Sequence, residues 1–282
     1  MSTALFWDVQ HGHATTVISP NHRVFVVDLG QGSYTSDNSF SPLNSLYHCG
    51  YQTIDHLIIS HPHLDHIDDI LQLSCFNVLS MIRPQHLEYA DVMNGISDVD
   101  KPKYDCYWSM HERYVWPVSP ENDTTVAANF GGLTARIFAP RKCARSNLNN
   151  HSIVTVFEEG PVRVVVPGDN EACSFAELLK MPDFCAAVAN ADVLLAPHHG
   201  RKAGTCAEFL KLVNPRLCVI SDGRATGTNA VGEYSKAARG LNVRRRSGGS
   251  RLRRCLSTRK DGMIKIRFGQ GITRPYLDVE IN

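Results

Sequence analysis

This sequence reads as an α/β protein, for three reasons. Short β-branched runs such as Val24-Phe25-Val26-Val27 and Val162 to Val166 alternate along the chain with helical patterns such as Ala207 to Val213. At 282 residues, 43% hydrophobic and 20% charged, the chain can bury a sizeable core and is neither disordered nor fibrous in composition. No duplicated motif or long Pro/Gly/Ser linker divides it. Residues 1–282 are therefore expected to form a single domain, with an aromatic-rich insertion around 84–130 and a basic C-terminal segment around 239–260.

In chain order, Leu5 to Val9, Thr15 to Ile18 and Arg23 to Asp28 read as strands, with Ser19-Pro20-Asn21-His22 as a turn. Residues 31–50 read as a loop followed by a short helix. Ile54 to Ile59 is a buried strand, and Ile67 to Phe76 a helix. From Pro84 to Pro120 the pattern is irregular, with Tyr89, Tyr104, Tyr107, Trp108, Tyr114 and Trp116 among polar residues. These aromatics can stack on flat ligands or form a satellite core of their own. Gly132 to Pro140, Ile153 to Phe157, Val162 to Val166 and Ala191 to Ala196 are strands, with a helix over Cys173 to Leu179. Pro215 to Ser221 is read as the last buried strand, and a helix begins at Tyr234.

The chemistry concentrates at His61-Pro62-His63-Leu64-Asp65-His66, between the Ile54 strand and the following helix. In a strand-to-helix turn, imidazoles and a carboxylate so closely spaced can converge on one point. Such a set suits zinc, manganese or iron and suits calcium poorly. With ligands added from elsewhere, two ions about 3.5–4 Å apart are a natural load. No P-loop, Rossmann glycine pattern or activated serine competes.

His61-x-His63-x-Asp65-His66 resembles the HxHxDH signature of the metallo-β-lactamase fold superfamily. Within it the chain is most similar to the ComEC-type branch, the nuclease-like domain of DNA-uptake proteins and its free-standing relatives. Asp8 to Ala14 resembles the opening DVGQGDA motif, with His13 where relatives carry Asp or Asn, and Val27-Asp28-Leu29-Gly30 resembles the DxG pattern. Asp192 to Gly200 resembles the DVLKVPHHGS element, with Arg201 in place of Ser. The His-bearing segment that follows in relatives is here Gly223 to Asn229, without histidine.

The resemblance implies an αββα sandwich, two mixed sheets flanked by helices. It implies two divalent ions, Zn2+ or Mn2+, held by His61, His63, Asp65, His66, His151, Asp169 and His198. Asp169 would be shared by both ions, though an N-cap role would equally explain its residue type. His198 is expected as the ligand, with His199 beside it to protonate a leaving group, and Asp65 to orient the nucleophile. His11 and His13 are candidates to touch the site, and Asp8 and Asp28 to orient metal-bound imidazoles.

The expected function is hydrolysis by a metal-bridged hydroxide, most readily of phosphodiesters in DNA, RNA or nucleotides. The alternatives are small esters, thioesters or lactones, or a catalytically silent binding or sensing protein. Every charged residue from Arg239 to Lys260 is basic, nine in 22 residues, and Arg244, Arg245, Arg246, Arg253 and Arg254 are expected to bind a phosphate-rich substrate. Nine scattered cysteines without CxxC pairing are expected to be free thiols. Met1 to Gln10 has no basic stretch leading into a long apolar run, and no run approaches the ~20 apolar residues of a membrane helix. A cytoplasmic protein without membrane contact is expected, its oligomeric state open.

Overall fold

The computed structural model describes every residue except 36–37 and 224–227, so most of the Gly223 to Asn229 segment lies outside the described residues. Its strands are β1 (Ser2–Phe6), β2 (Thr15–Ile18), β3 (Val24–Val27), β4 (Gly32–Thr35), β5 (Asn38–Phe40), β6 (Thr53–Ile54), β7 (His56–Ile58), β8 (Asn77–Val78), β9 (Met81–Ile82), β10 (Leu133–Phe138), β11 (Val154–Glu159), β12 (Val162–Val166), β13 (Val193–Leu195), β14 (Leu217–Ile220), β15 (Leu241–Arg245), β16 (Ser250–Arg253), β17 (Cys255–Ser257), β18 (Ile264–Gln270) and β19 (Pro275–Ile281). The helices are α1 (Pro42–His48), α2 (Leu64–Ile67), α3 (Tyr89–Met93), α4 (Lys101–Arg113), α5 (Ala172–Leu178), α6 (Pro182–Val188), α7 (Ala207–Val213), α8 (Val231–Ala237) and α9 (Thr258–Asp261). No helix among the described residues is long and apolar enough to cross a membrane.

Two mixed sheets face each other with helices outside them, the αββα arrangement expected from the sequence. One sheet has the order β16-β15-β19-β18-β1-β2-β3-β7-β9, the other β10-β11-β12-β13-β14-β17. Alternation along each strand decides which side chains meet between them. Phe25 and Val27 of β3 point inward to Phe130, Phe157 and Val166, while Val24 and Val26 point out to Leu43, Ile67 and Tyr107. Phe25 is fully buried with ring centroids 4.9 Å from Phe130 and 5.5 Å from Phe157, so Phe25→Ala would cost about 3–5 kcal/mol. On the second sheet, Val165, Leu194 and Ile220 pack outward under Phe175, Phe184 and Phe209.

Several local expectations need correction. The Ile67 to Phe76 helix is broken after α2, and a 3-10 turn covers Ile70–Cys75. At the break the Asp69 carboxylate accepts from Ser41 Oγ (2.7 Å) and Leu43 N–H (3.0 Å), which ties this corner to the start of α1. The 84–120 segment is not irregular: α4 is its main feature, with Tyr104 and Tyr107 buried in the outer core. Trp108 stacks on His111 at 4.5 Å, while Trp116 is exposed.

Pro215 to Ser221 is not the last buried strand. The C-terminal segment adds β15 to β19, and Ile264, Ile266, Phe268, Val279 and Ile281 belong to the inter-sheet core. Nor are all cysteines free, because Cys143 and Cys173 form a disulfide across a sequence separation of 30. It fastens the loop after β10 to the first turn of α5. An even spacing pattern cannot reveal a pair that only tertiary folding brings together.

Candidate metal centre

Parallel pairing sets the site at one rim. β3 and β7 run side by side with Val27 opposite Ile58, so Asp28 and Ser60 leave their strands together. Asp28 sits in the left-handed region (φ 59°), its N–H donating to Ile58 O at 2.8 Å. Its fully buried carboxylate collects four donors. Oδ1 accepts from Ser60 N–H (2.6 Å), and Oδ2 accepts from Ser60 Oγ, His13 Nδ1 and His66 Nδ1, each at 2.8 Å. Burial alone would raise the Asp28 pKa, but the imidazoles of His66 and His13 outweigh it and hold the carboxyl well below its usual range.

In the second sheet, the parallel run β12-β13-β14 delivers Gly168-Asp169, His198-His199 and Ser221 to the same rim. His198 N–H donates to Gly168 O at 3.3 Å, and His199 Nδ1 lies 3.0 Å from Ser221 O. The two sheets touch here, with Ile153 N–H donating to Ser60 O at 2.9 Å. Gly168 (φ 59°) stands at that contact. A Cβ there would come within 2.8 Å of both Ser60 Cβ and Ser152 Cβ, so only glycine lets the layers close.

The side chains that meet are His61, Asp65, His66, Asp169 and His199. His199 Nε2 is 3.1 Å from Asp65 Oδ2 and 3.3 Å from Asp169 Oδ2. His66 Nε2 is 3.3 Å from Asp169 Oδ1 and 3.9 Å from Asp65 Oδ2. The donor atoms of His61, His66 and Asp169, and those of Asp65, His66 and His199, each lie within 4.8 Å of one another. His63 joins at the side, its Nδ1 3.0 Å from His61 Nε2.

These residues fit a divalent cation for a reason that lies in the tautomers. His199 Nδ1 faces a backbone carbonyl and His66 Nδ1 faces the Asp28 carboxylate, so both rings carry a proton on Nδ1. Their Nε2 atoms are buried, have no well-aligned hydrogen bond and point at two carboxylates. Only a positive charge between imidazole and carboxylate relieves that arrangement. As a proton, it raises His199 to about 9, the Asp169 and Asp65 carboxylates outweighing burial. His66 is likewise raised, against burial, chiefly by Asp169 and then Asp28. Asp65 and Asp169 are held low by the same two imidazoles, again against burial. A divalent ion can take the place of those protons.

The other expected residues fall elsewhere. His151 is buried, but its Nδ1 pairs with His86 Nε2 at 2.8 Å rather than turning to the cluster. His198 stands one step outside it, with Nε2 3.9 Å from Asp169 Oδ2 and Nδ1 3.1 Å from Glu171 Oε1. Its neighbour His199 occupies the inner place, and both histidines are left-handed (φ 49° and 52°). His11 lies at the mouth, 3.4 Å from Asp65 Oδ2, with its ring 5.0 Å from that of His199. His13 is behind the site, against Asp28.

The arginines expected to grip substrate are not gathered here. Arg244 and Arg245 end β15 and Arg246 follows in the turn of the β15-β16 hairpin at the sheet edge, with five strands between β15 and β7. At about 4.8 Å per strand that is on the order of 30 Å. Arg244 is paired with Asp278 (2.6 Å) and Glu280 (3.0 Å), and Arg253 with Asp261 (3.1 Å), while Arg245, Arg246 and Arg254 are exposed. Counting acids along the chain missed this, since Glu280 faces Arg244 only through the β15-β19 register. Sequence reasoning also passed over Ser60, Glu171 and Ser221, common polar residues with no motif to mark them.

No family model matches the chain. Among curated proteins it is 25% identical over 220 residues to Recombination protein 2 of Haemophilus influenzae, covering 77% of this chain and 24% of that protein. It is 30% identical over 93 residues to ComE operon protein 3 of Bacillus subtilis, covering 33% of this chain and 11% of that protein. The chain thus spans a quarter or less of these relatives. Among solved structures it is similar to CmlA, a diiron beta-hydroxylase from Streptomyces venezuelae (TM-score 0.46, 14% identity, 78% of this chain and 44% of that one). It is also similar to a diphosphatase of the PhnP family (TM-score 0.39, 9% identity, 84% of this chain and 91% of that one). Both TM-scores lie below 0.5.

Proposed function

We propose that this chain, a metallo-β-lactamase-fold protein of ComEC-like sequence, is a metal-dependent phosphodiesterase acting on nucleic acid or nucleotides. One observation carries the hydrolytic part: His66 and His199, locked by acceptors at Nδ1, aim buried and otherwise unpaired Nε2 atoms at Asp65 and Asp169. Partial similarity to Recombination protein 2 and ComE operon protein 3 supports a nucleic-acid substrate, as do the exposed Arg245, Arg246 and Arg254.

In this reading His61, Asp65, His66, Asp169 and His199 hold the ions, with His63 and His198 at the edge of the set. Divalent cations supply a water nucleophile at neutral pH and offset negative charge on the reacting group. The chain does the rest. Asp28 and the Ser221 carbonyl keep two imidazoles from rotating, so the cage is built before substrate arrives. The imidazoles of the cage are shielded from water, as His61, His66 and His199 are all buried. His11, exposed at the mouth 3.4 Å from Asp65 Oδ2, is placed to hydrogen-bond a substrate oxygen.

The test is turnover by zinc- or manganese-loaded protein of bis-p-nitrophenyl phosphate, single- and double-stranded nucleic acid, and a panel of esters, thioesters and lactones. Phosphodiester cleavage that is lost in Asp169→Ala, together with bound metal, is the expected result. Turnover of carboxylic esters alone would replace the substrate class, and silence on every substrate with metal bound would overturn catalysis in favour of a binding protein.

A further inference from the structure

Arg201 follows the two site histidines, and it differs from the paired arginines of this chain. Arg145, Arg244, Arg253 and Arg259 each lie within 4 Å of a carboxylate; among the described residues Arg201 has no such partner. Its Nε is buried without a hydrogen bond, and its NH1 donates to His198 Nε2 at 3.3 Å. That contact requires a lone pair on His198 Nε2, which in turn places the ring proton on Nδ1, 3.1 Å from Glu171 Oε1. The half-buried guanidinium is therefore anchored at one corner, with its Nε still lacking an acceptor.

The position matters because the cage is a few ångströms away. His198 Nε2, which accepts from Arg201, is 3.9 Å from Asp169 Oδ2. A half-buried cation with no counter-ion within 4 Å is partly desolvated without compensation. A guanidinium fork is also matched in shape to two oxygens of a phosphate. Next to a centre loaded with divalent cations, the missing partner is an anion brought by the substrate.

We propose that Arg201, held against His198, is the subsite for a non-bridging oxygen of the phosphate group, and that it makes the centre selective for phosphodiesters over uncharged esters. The identity of the oxyanion rests on the phosphodiesterase reading above, whereas the anion subsite itself rests on the geometry of Arg201. Arg201→Ser restores the residue usual in the resembling family and removes the charge; Arg201→Lys keeps charge without the fork.

Binding of inorganic phosphate to zinc-loaded wild type and variants is measured by calorimetry, with zinc content and circular dichroism as controls. Turnover of bis-p-nitrophenyl phosphate and p-nitrophenyl acetate is measured in parallel. Arg201→Ser is expected to weaken phosphate binding about tenfold or more, and to lower phosphodiester kcat/KM at least tenfold further than ester kcat/KM, with Arg201→Lys between. Unchanged phosphate affinity in Arg201→Ser overturns the subsite. So does an equal fall on both substrates accompanied by loss of zinc, which would make Arg201 a structural support of the cage. If wild type cleaves no phosphodiester, the functional reading fails, and the calorimetric comparison still decides the subsite.

Discussion

The most exacting prediction concerns Asp28, which touches none of the reacting groups. In Asp28→Asn the amide oxygen can keep the bond from Ser60 N–H, but the amide nitrogen must replace Oδ2, where Ser60 Oγ, His13 Nδ1 and His66 Nδ1 now converge at 2.8 Å. Each hydrogen bond to a buried charge is worth about 1.5–3 kcal/mol, and three donors would face a donor. Hydroxyl rotation and a tautomer change at His13, whose Nε2 can instead donate to Thr15 Oγ1, recover part of this. The net cost should be about 3–5 kcal/mol, the usual range for breaking a buried charge pair. Urea unfolding of metal-free protein at pH 7 reads it directly. Because the Asp28 carboxyl is held below its unfolded value, its stabilisation is present above about pH 4 and is lost as pH falls further, so wild type and variant should converge in acid. Zinc affinity should also fall about 10–100-fold as His66 loses its orientation. A variant with an unchanged urea midpoint at pH 7 would refute this account of the site.

His56 is buried, stacked on Phe25 with ring centroids 5.0 Å apart, and burial lowers its pKa to about 4. The unfolded chain therefore binds the proton first, and about 3 kcal/mol of stability drains away as pH drops from about 6.5 to 4. His56→Phe should flatten the unfolding free energy across that window; an identical pH slope would remove His56 as the cause. Reducing the Cys143–Cys173 bridge, or Cys143→Ser, frees a loop of separation 30 and should lower stability by about 3–4 kcal/mol on chain entropy. Equal urea midpoints with and without reductant would contradict that. Arg245→Ala and Arg246→Ala should each reduce the salt slope of polyanion binding by about one, whereas an unaltered slope would free the β15-β16 hairpin from any part in binding.

What could be read from the sequence follows a physical pattern. His61, His63, Asp65 and His66 are legible because their convergence is local, one turn between a strand and a helix. Asp169 and the His198-His199 pair are legible because each ends a strand, and parallel pairing sends strand ends to one rim. The choice between His198 and His199 is not legible: it depends on the backbone path of a turn with two left-handed residues, which no composition rule identifies. The His86–His151 pair, the disulfide and the carboxylates facing Arg244 all depend on partners distant in the chain. The C-terminal strands were hidden by their own charge. In β15, Leu241 and Val243 are buried while Asn242 and Arg244 face out, a period-two pattern easily read as a mobile basic tail.

The donors of the candidate centre hang from both layers of the sandwich, His61 and His66 from one and Asp169 and His199 from the other. Any ion they share acts as a rivet through the protein. Its binding energy resists sliding of one layer over the other, so occupancy and mechanical integrity rise and fall together. A chelator would then do more than silence chemistry: it would loosen the whole molecule at the seam where Gly168 lets the layers meet.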